Sequence, residues 1–146
     1  MEKIASFQKD HDKLQPGLYA QTDKNLITTF DLRFKRPNSG DYISPKALHT
    51  IEHLLATVLR NSEKKDDIVY FGPMGCRTGF YLLTLRLSFE EVLALLKESI
   101  KTALTLEEVP GSKREECGNY LEHDLAAAKE ELKNYLHILD GVEAHS

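Results

Sequence analysis

A chain of 146 residues fits one domain, since domains cluster around roughly 100–150 residues. With 41% hydrophobic and 29% charged residues, it has neither the composition of a disordered chain nor that of a membrane-embedded one. The net charge of -4 arises from 19 basic and 23 acidic residues mixed along the sequence; no Lys/Arg-rich block is present, which argues against nucleic acid as the main partner. Residues 1–10 lack an apolar signal region, and no later run approaches membrane-spanning length, so a cytoplasmic protein without membrane association is expected. In a reducing compartment the only two cysteines, Cys76 and Cys117, read better as ligand or catalyst than as a disulfide.

The first elements form a hairpin across residues 17–35. Leu18–Gln21 leads into a turn at Asp23-Lys24-Asn25, and Leu26–Phe34 follows with the period-2 alternation of a half-buried strand. Pro37-Asn38-Ser39-Gly40 breaks this run. Ser44-Pro45 then supplies an N-cap and a first-turn proline for a helix to about Arg60, with Leu48, Ile51, Leu55 and Val58 as its apolar stripe. Ile68–Phe71 and Gly79–Leu87 read as two more strands. Ser88-Phe89-Glu90-Glu91 is a capping box that opens a second helix to about Leu104. Glu107–Gly118 is a polar loop, and the last amphipathic helix is expected over roughly Tyr120–Leu139. The sum is a single α+β domain, a small antiparallel sheet packed against helices in two layers, and the element order excludes a repeated βαβ unit.

The helix from Ser44 carries His49-Thr50-Ile51-Glu52-His53. Residues four apart project from one helical face, so both imidazoles can bind one metal ion. Glu52 lies on the neighbouring ridge, where a carboxylate can move protons without being a ligand. The spacing is that of the inverted zincins, and a pair of histidines on a solvated helix face has it as well. At about 100° per residue the two histidines fall well away from the apolar stripe. A metal between them therefore needs cover from elsewhere, either the cysteine loops or a second subunit.

Cys117 stands just before the predicted last helix, where the helix N-terminus favours a thiolate. With His49 and His53 it makes a His₂Cys set with one position open, the catalytic rather than the structural arrangement. His123 competes as third ligand. Cys76 lies in Gly75-Cys76-Arg77-Thr78-Gly79 and admits three readings: a fourth ligand closing a structural site, a free acid/base thiol, or a small buried hydrophobe.

Taken together, several segments resemble the S-ribosylhomocysteine lyase family, whose activity makes the precursor of the autoinducer-2 signal. They are Ser44-Pro45 through Leu55, Pro73-Met74-Gly75-Cys76-Arg77-Thr78-Gly79-Phe80-Tyr81-Leu82, Cys117-Gly118, His123-Asp124-Leu125, Phe30-Asp31-Leu32-Arg33-Phe34, and Ser6-Phe7 with His11-Asp12. The likeness spans essentially the whole chain, residues 1–146, in order. It departs at Val69-Tyr70-Phe71-Gly72, where the family pattern carries an Ile-Asp-Ile-Ser type run.

The resemblance implies a homodimer with two metal sites at the subunit interface. One divalent ion per subunit, iron(II) natively and zinc or cobalt as substitutes, would be held by His49, His53 and Cys117, with no organic cofactor. S-ribosylhomocysteine would be split into homocysteine and 4,5-dihydroxy-2,3-pentanedione by carbonyl migration and β-elimination. Cys76 would shuttle protons in the migrations, and Glu52 would remove the proton that triggers elimination. Ser6, His11 and Arg33 would belong to the substrate pocket, with Arg33 placed to pair with the substrate carboxylate. Two rival readings share the motif: an inverted-motif zinc peptidase, which needs a longer chain, and a non-enzymatic zinc-binding module closed by His49, His53, Cys76 and Cys117.

Overall fold

A computed structural model of the chain describes residues 12–142. Four strands, β1 (Gly17–Thr22), β2 (Ile27–Arg33), β3 (Ile68–Pro73) and β4 (Gly79–Leu85), form one antiparallel sheet in the order β1-β2-β4-β3. Three helices, α1 (Pro45–Arg60), α2 (Phe89–Leu104) and α3 (Leu125–Asp140), complete the two-layer α+β domain. The β1–β2 turn is built by Asp23, whose carboxylate accepts from the backbone N–H groups of Asn25 and Ile27.

Alternation fixes which face of the sheet is covered. Leu18, Phe30, Leu32, Phe71, Phe80 and Leu82 point to the helices and are buried with Ile51, Leu54, Leu55, Leu96 and Leu132 in one core. Ile27, Tyr81, Leu83 and Leu85 on the opposite face stay half-exposed. β4 pairs with β2 through Gly79 opposite Arg33, an approach that only glycine allows, since a Cβ there would collide with the Leu32 carbonyl. The Val69-Tyr70-Phe71-Gly72 run is an ordinary strand with a bulge at its start. Phe71 stacks on Phe80 at 5.2 Å, and Gly72 leaves room for the Tyr70 ring.

The caps of α1 and α2 are those the sequence signals. Ser44 accepts from Ala47 N–H, and Ser88 and Glu91 close a reciprocal box. The buried face of α1 is Ala47, Thr50, Ile51, Leu54, Leu55 and Leu59, with Leu48 and Val58 at its margins. The apolar stripe is thus rotated from the expected one, and a threonine sits inside it.

The last helix starts later than expected. Asp124 is its N-cap, accepting from Ala127 N–H, so Tyr120–His123 belong to the preceding turns. The Asp124 carboxylate outcompetes the apolar periodicity as a start signal. Cys117 is therefore separated from α3 in sequence by residues 118–123. No helix among the described residues is long and apolar enough to cross a membrane.

Candidate metal centre

Helix α1 presents His49 and His53 to the segment between α2 and α3, which folds back over them. His49 Nδ1 lies 2.8 Å from the Glu122 carbonyl, and His53 Nδ1 lies 2.8 Å from the Pro110 carbonyl. A carbonyl only accepts, so both Nδ1 atoms carry protons and both Nε2 atoms are bare in the neutral rings. Those Nε2 atoms are 3.1 Å apart. The Cys117 sulfur lies 3.6 Å from His49 Nε2 and 3.9 Å from His53 Nε2. Two bare imidazole nitrogens and a sulfur thus face one point.

His123 joins this group as a fourth donor. Its Nε2 is 3.9 Å from the Cys117 sulfur, and its ring stacks on His49 with centroids 4.1 Å apart. One donor atom from each of the four residues lies within 4.8 Å of the others. Donors on a tetrahedral zinc ion sit about 3.3–3.6 Å apart, given bonds of about 2.0–2.3 Å. The set is already close to that spacing, and its soft sulfur and imidazole nitrogens suit zinc, cobalt or iron(II). Burial, and then the neighbouring His49 and His53, hold the His123 imidazole below the ordinary histidine pKa, which keeps it neutral near pH 7.

The cover over the histidines comes from the same chain, through Pro110, Cys117 and Glu122. Gly111 makes this possible: its φ is +66°, and a Cβ there would stand 3.2 Å from His53 Nδ1. Glu52 lies half-buried on the adjoining ridge of α1.

Cys76 is not part of this cluster. It is exposed at the tip of the β3–β4 loop, where Arg77 adopts φ of 60°. Its sulfur lies 3.0 Å from Thr78 Oγ1, which accepts from Arg33 Nη1 at 2.7 Å. The hydroxyl proton of Thr78 is then free to point at sulfur. Arg33 is 1% exposed and pairs through Nη2 with Asp31 at 2.7 Å. The guanidinium is buried and salt-bridged, because Asp31 occupies the same face two residues earlier. Arg33, Cys76, Thr78, Tyr42 and Tyr81 line a cavity of about 570 Å³, within the size range of small-molecule sites. His49, His53, Cys117 and Glu52 do not line it. Within one chain the thiol cavity and the metal-facing cluster are separate. Ser6 and His11 lie outside the described residues.

Three positions carry more of the site than their residue types announce. Thr50 ties His123 and Asp124 to α1, Thr78 links Arg33 to Cys76, and Gly111 fits against His53. Only the polar residue inside the apolar face of α1 leaves a trace in the sequence. The carbonyls of Pro110 and Glu122 have none.

These features define a small α+β protein with a His/Cys group that could hold a metal ion. Comparison with known proteins carries this further. The family model described as S-ribosylhomocysteinase (LuxS) matches residues 4–145. The chain is similar to the S-ribosylhomocysteine lyase of Borreliella afzelii, at 46% identity over 98% of this chain and 96% of that protein. It is similar also to those of Phocaeicola vulgatus, at 46% over 94% and 89%, and Porphyromonas gingivalis, at 45% over 93% and 90%. The chain belongs to the S-ribosylhomocysteinase family and is an enzyme of the lyase class.

Proposed function

We propose that this chain is a single catalytic domain that cleaves S-ribosylhomocysteine into homocysteine and 4,5-dihydroxy-2,3-pentanedione. The observation that carries the metal-dependent part of this reading is the convergence of donor atoms from His49, His53, Cys117 and His123. A divalent ion bound there, iron(II) or zinc or cobalt in its place, supplies Lewis acidity to carbonyl and hydroxyl oxygens of the sugar.

The chain's own groups do the rest. His49, His53 and Cys117 hold the ion, with the backbone carbonyls of Glu122 and Pro110 fixing the two rings of α1. Cys76 takes and returns the carbon-bound protons as the carbonyl moves along the sugar. Arg33 orders it through Thr78 and shapes the cavity. Glu52 removes the proton whose loss expels the homocysteine thiolate, breaking the carbon–sulfur bond. Ser6 and His11 complete the substrate pocket in this reading.

A homodimer with shared sites supports the same chemistry. The thiol cavity and the metal-facing cluster lie apart in one chain, and the sheet face with Ile27, Leu83 and Leu85 is half-exposed. Two free thiols suit the cytoplasm. The reaction makes the autoinducer-2 precursor and returns homocysteine to the methyl cycle. The peptidase reading gains nothing here, since the third and fourth donors are a thiol and an imidazole rather than a carboxylate. The closed-module reading required Cys76, which sits on Thr78 instead.

The test is incubation of the metal-loaded protein with S-ribosylhomocysteine and titration of released thiol. Release by the wild type is expected, with severe loss in Cys76→Ala and Glu52→Gln while metal stays bound. Absence of release from the loaded wild type removes the reading, and loss of metal from those variants removes their assigned roles.

A further inference from the structure

We infer that Thr50 is a positioning residue of the metal centre, acting through His123. Thr50 is fully buried, inside the apolar face of α1 and between the two histidines of that helix. Three groups meet its hydroxyl oxygen: the Lys46 carbonyl at 2.9 Å, the Asp124 N–H at 2.9 Å and His123 Nδ1 at 3.0 Å.

Proton counting settles the direction of each bond. A hydroxyl has one proton and two lone pairs. Lys46 offers only a carbonyl, so the Thr50 proton goes there. Asp124 N–H takes one lone pair. The single lone pair left can only accept, so His123 Nδ1 must donate to it. With the proton on Nδ1, the neutral His123 ring carries its bare nitrogen at Nε2, 3.9 Å from the Cys117 sulfur.

Thr50 thus gives His123 the state that the Glu122 and Pro110 carbonyls give His49 and His53. All three imidazoles present Nε2 lone pairs to one point. The same oxygen also anchors Asp124, the N-cap of α3, so one side chain sets both the ring and the end of the ligand-bearing segment. A residue in this position tunes metal affinity without touching the ion, as the hydrogen-bond partners of ligating histidines do.

The inference rests on the metal reading above, and two measurements keep them distinguishable. The first is cobalt(II) affinity by chelator competition for the wild type, Thr50→Val and Thr50→Ser. Valine keeps the volume and removes the hydroxyl, whereas serine keeps the hydroxyl. Roughly 10–100-fold weaker binding is expected for Thr50→Val, with most of it restored in Thr50→Ser. The second is nitrogen NMR of the His123 ring in the zinc-loaded wild type, which is expected to show the proton on Nδ1. Unchanged affinity in folded Thr50→Val overturns the inference, and so does a proton on Nε2 in the wild type, a result that needs no variant to fold. A wild type that binds no cobalt overturns the metal reading as well. Tight cobalt binding with the expected tautomer but no thiol release leaves Thr50 in its role and removes only the lyase assignment.

Discussion

His49 and His53 approach Nε2 to Nε2 at 3.1 Å while their Nδ1 protons are held by backbone carbonyls. Two bare nitrogens at that distance repel, so the arrangement is favourable only with a cation between them. Cys117, within 3.9 Å of both, adds a sulfur donor, which suits a soft metal ion better than a proton shared between the rings. Removing the thiol should therefore be more damaging than disturbing a ligand's hydrogen-bond partner. Cys117→Ala is expected to lose more than the roughly 10–100-fold in affinity which such partners contribute. Metal content by atomic absorption after dialysis checks this, and one retained zinc per chain in Cys117→Ala would refute it.

Metal should also stabilise the fold, and the gain should depend on pH. The segment over α1 is tied by the few hydrogen bonds of Pro110, Glu122 and Thr50, so an ion bridging helix and loop binds the folded state alone. At a free concentration of 100 Kd the gain is about 2.7 kcal/mol. The ligating imidazoles must be neutral, so protons compete with the metal. The increment is full where the imidazoles are neutral and shrinks as falling pH protonates them. Melting curves with zinc and with chelator, at pH 7.5 and pH 5, check the sign. An equal zinc-induced rise in Tm at both values would exclude imidazole ligation.

Much of this architecture was readable before any coordinates because its signals are local. Ser44-Pro45 and the Ser88–Glu91 box are short-range capping chemistry, and both helices begin where those residues place them. The start of α3 is less legible because two local signals compete there, the apolar periodicity from Tyr120 and the carboxylate of Asp124. The metal-facing residues His49, His53 and Cys117 come together as the motif suggested, and His123 enters beside them from the turn before α3. What fixes their rings is a pair of backbone carbonyls contributed from 57 and 73 residues away, which no side-chain pattern encodes. The buried state of Arg33 was hidden for a similar reason. Strand alternation puts it on the face away from the helices, and only the tertiary arrangement with Asp31 and Thr78 takes it out of water.

That arrangement predicts two separable effects. Thr78→Val removes the acceptor of a buried guanidinium N–H, which costs about 1–3 kcal/mol. It also removes the hydroxyl 3.0 Å from the Cys76 sulfur, so a thiolate there loses a hydrogen bond and alkylation at neutral pH slows. Thr78→Ser should restore both. Arg33→Met leaves the Asp31 carboxylate buried without its cation, and roughly 3–5 kcal/mol is expected. Urea denaturation and iodoacetamide kinetics read the two effects apart. Alkylation as fast in Thr78→Val as in the wild type would show that Thr78 serves the fold but not the thiol.

The close fit of Gly111 to His53 gives the sharpest test of the covering loop. Gly111 has φ of +66°, which costs an L-residue roughly 1–2 kcal/mol, and its missing Cβ would stand 3.2 Å from His53 Nδ1. That nitrogen is the one holding the Pro110 carbonyl, so Gly111→Ala must either push the ring or lift the loop. Either movement separates His53 from Cys117. Weaker cobalt binding is therefore expected together with a lowered Tm. Gly118→Ala is the matched control: it adjoins Cys117, its Cβ would meet nothing within 4 Å, and near-wild-type affinity is expected. If Gly111→Ala loses stability but binds cobalt like the wild type, the loop does not position His53. If Gly118→Ala weakens binding as much, general stiffening of the loop explains the effect, and the fit of Gly111 to the imidazole has no part in it.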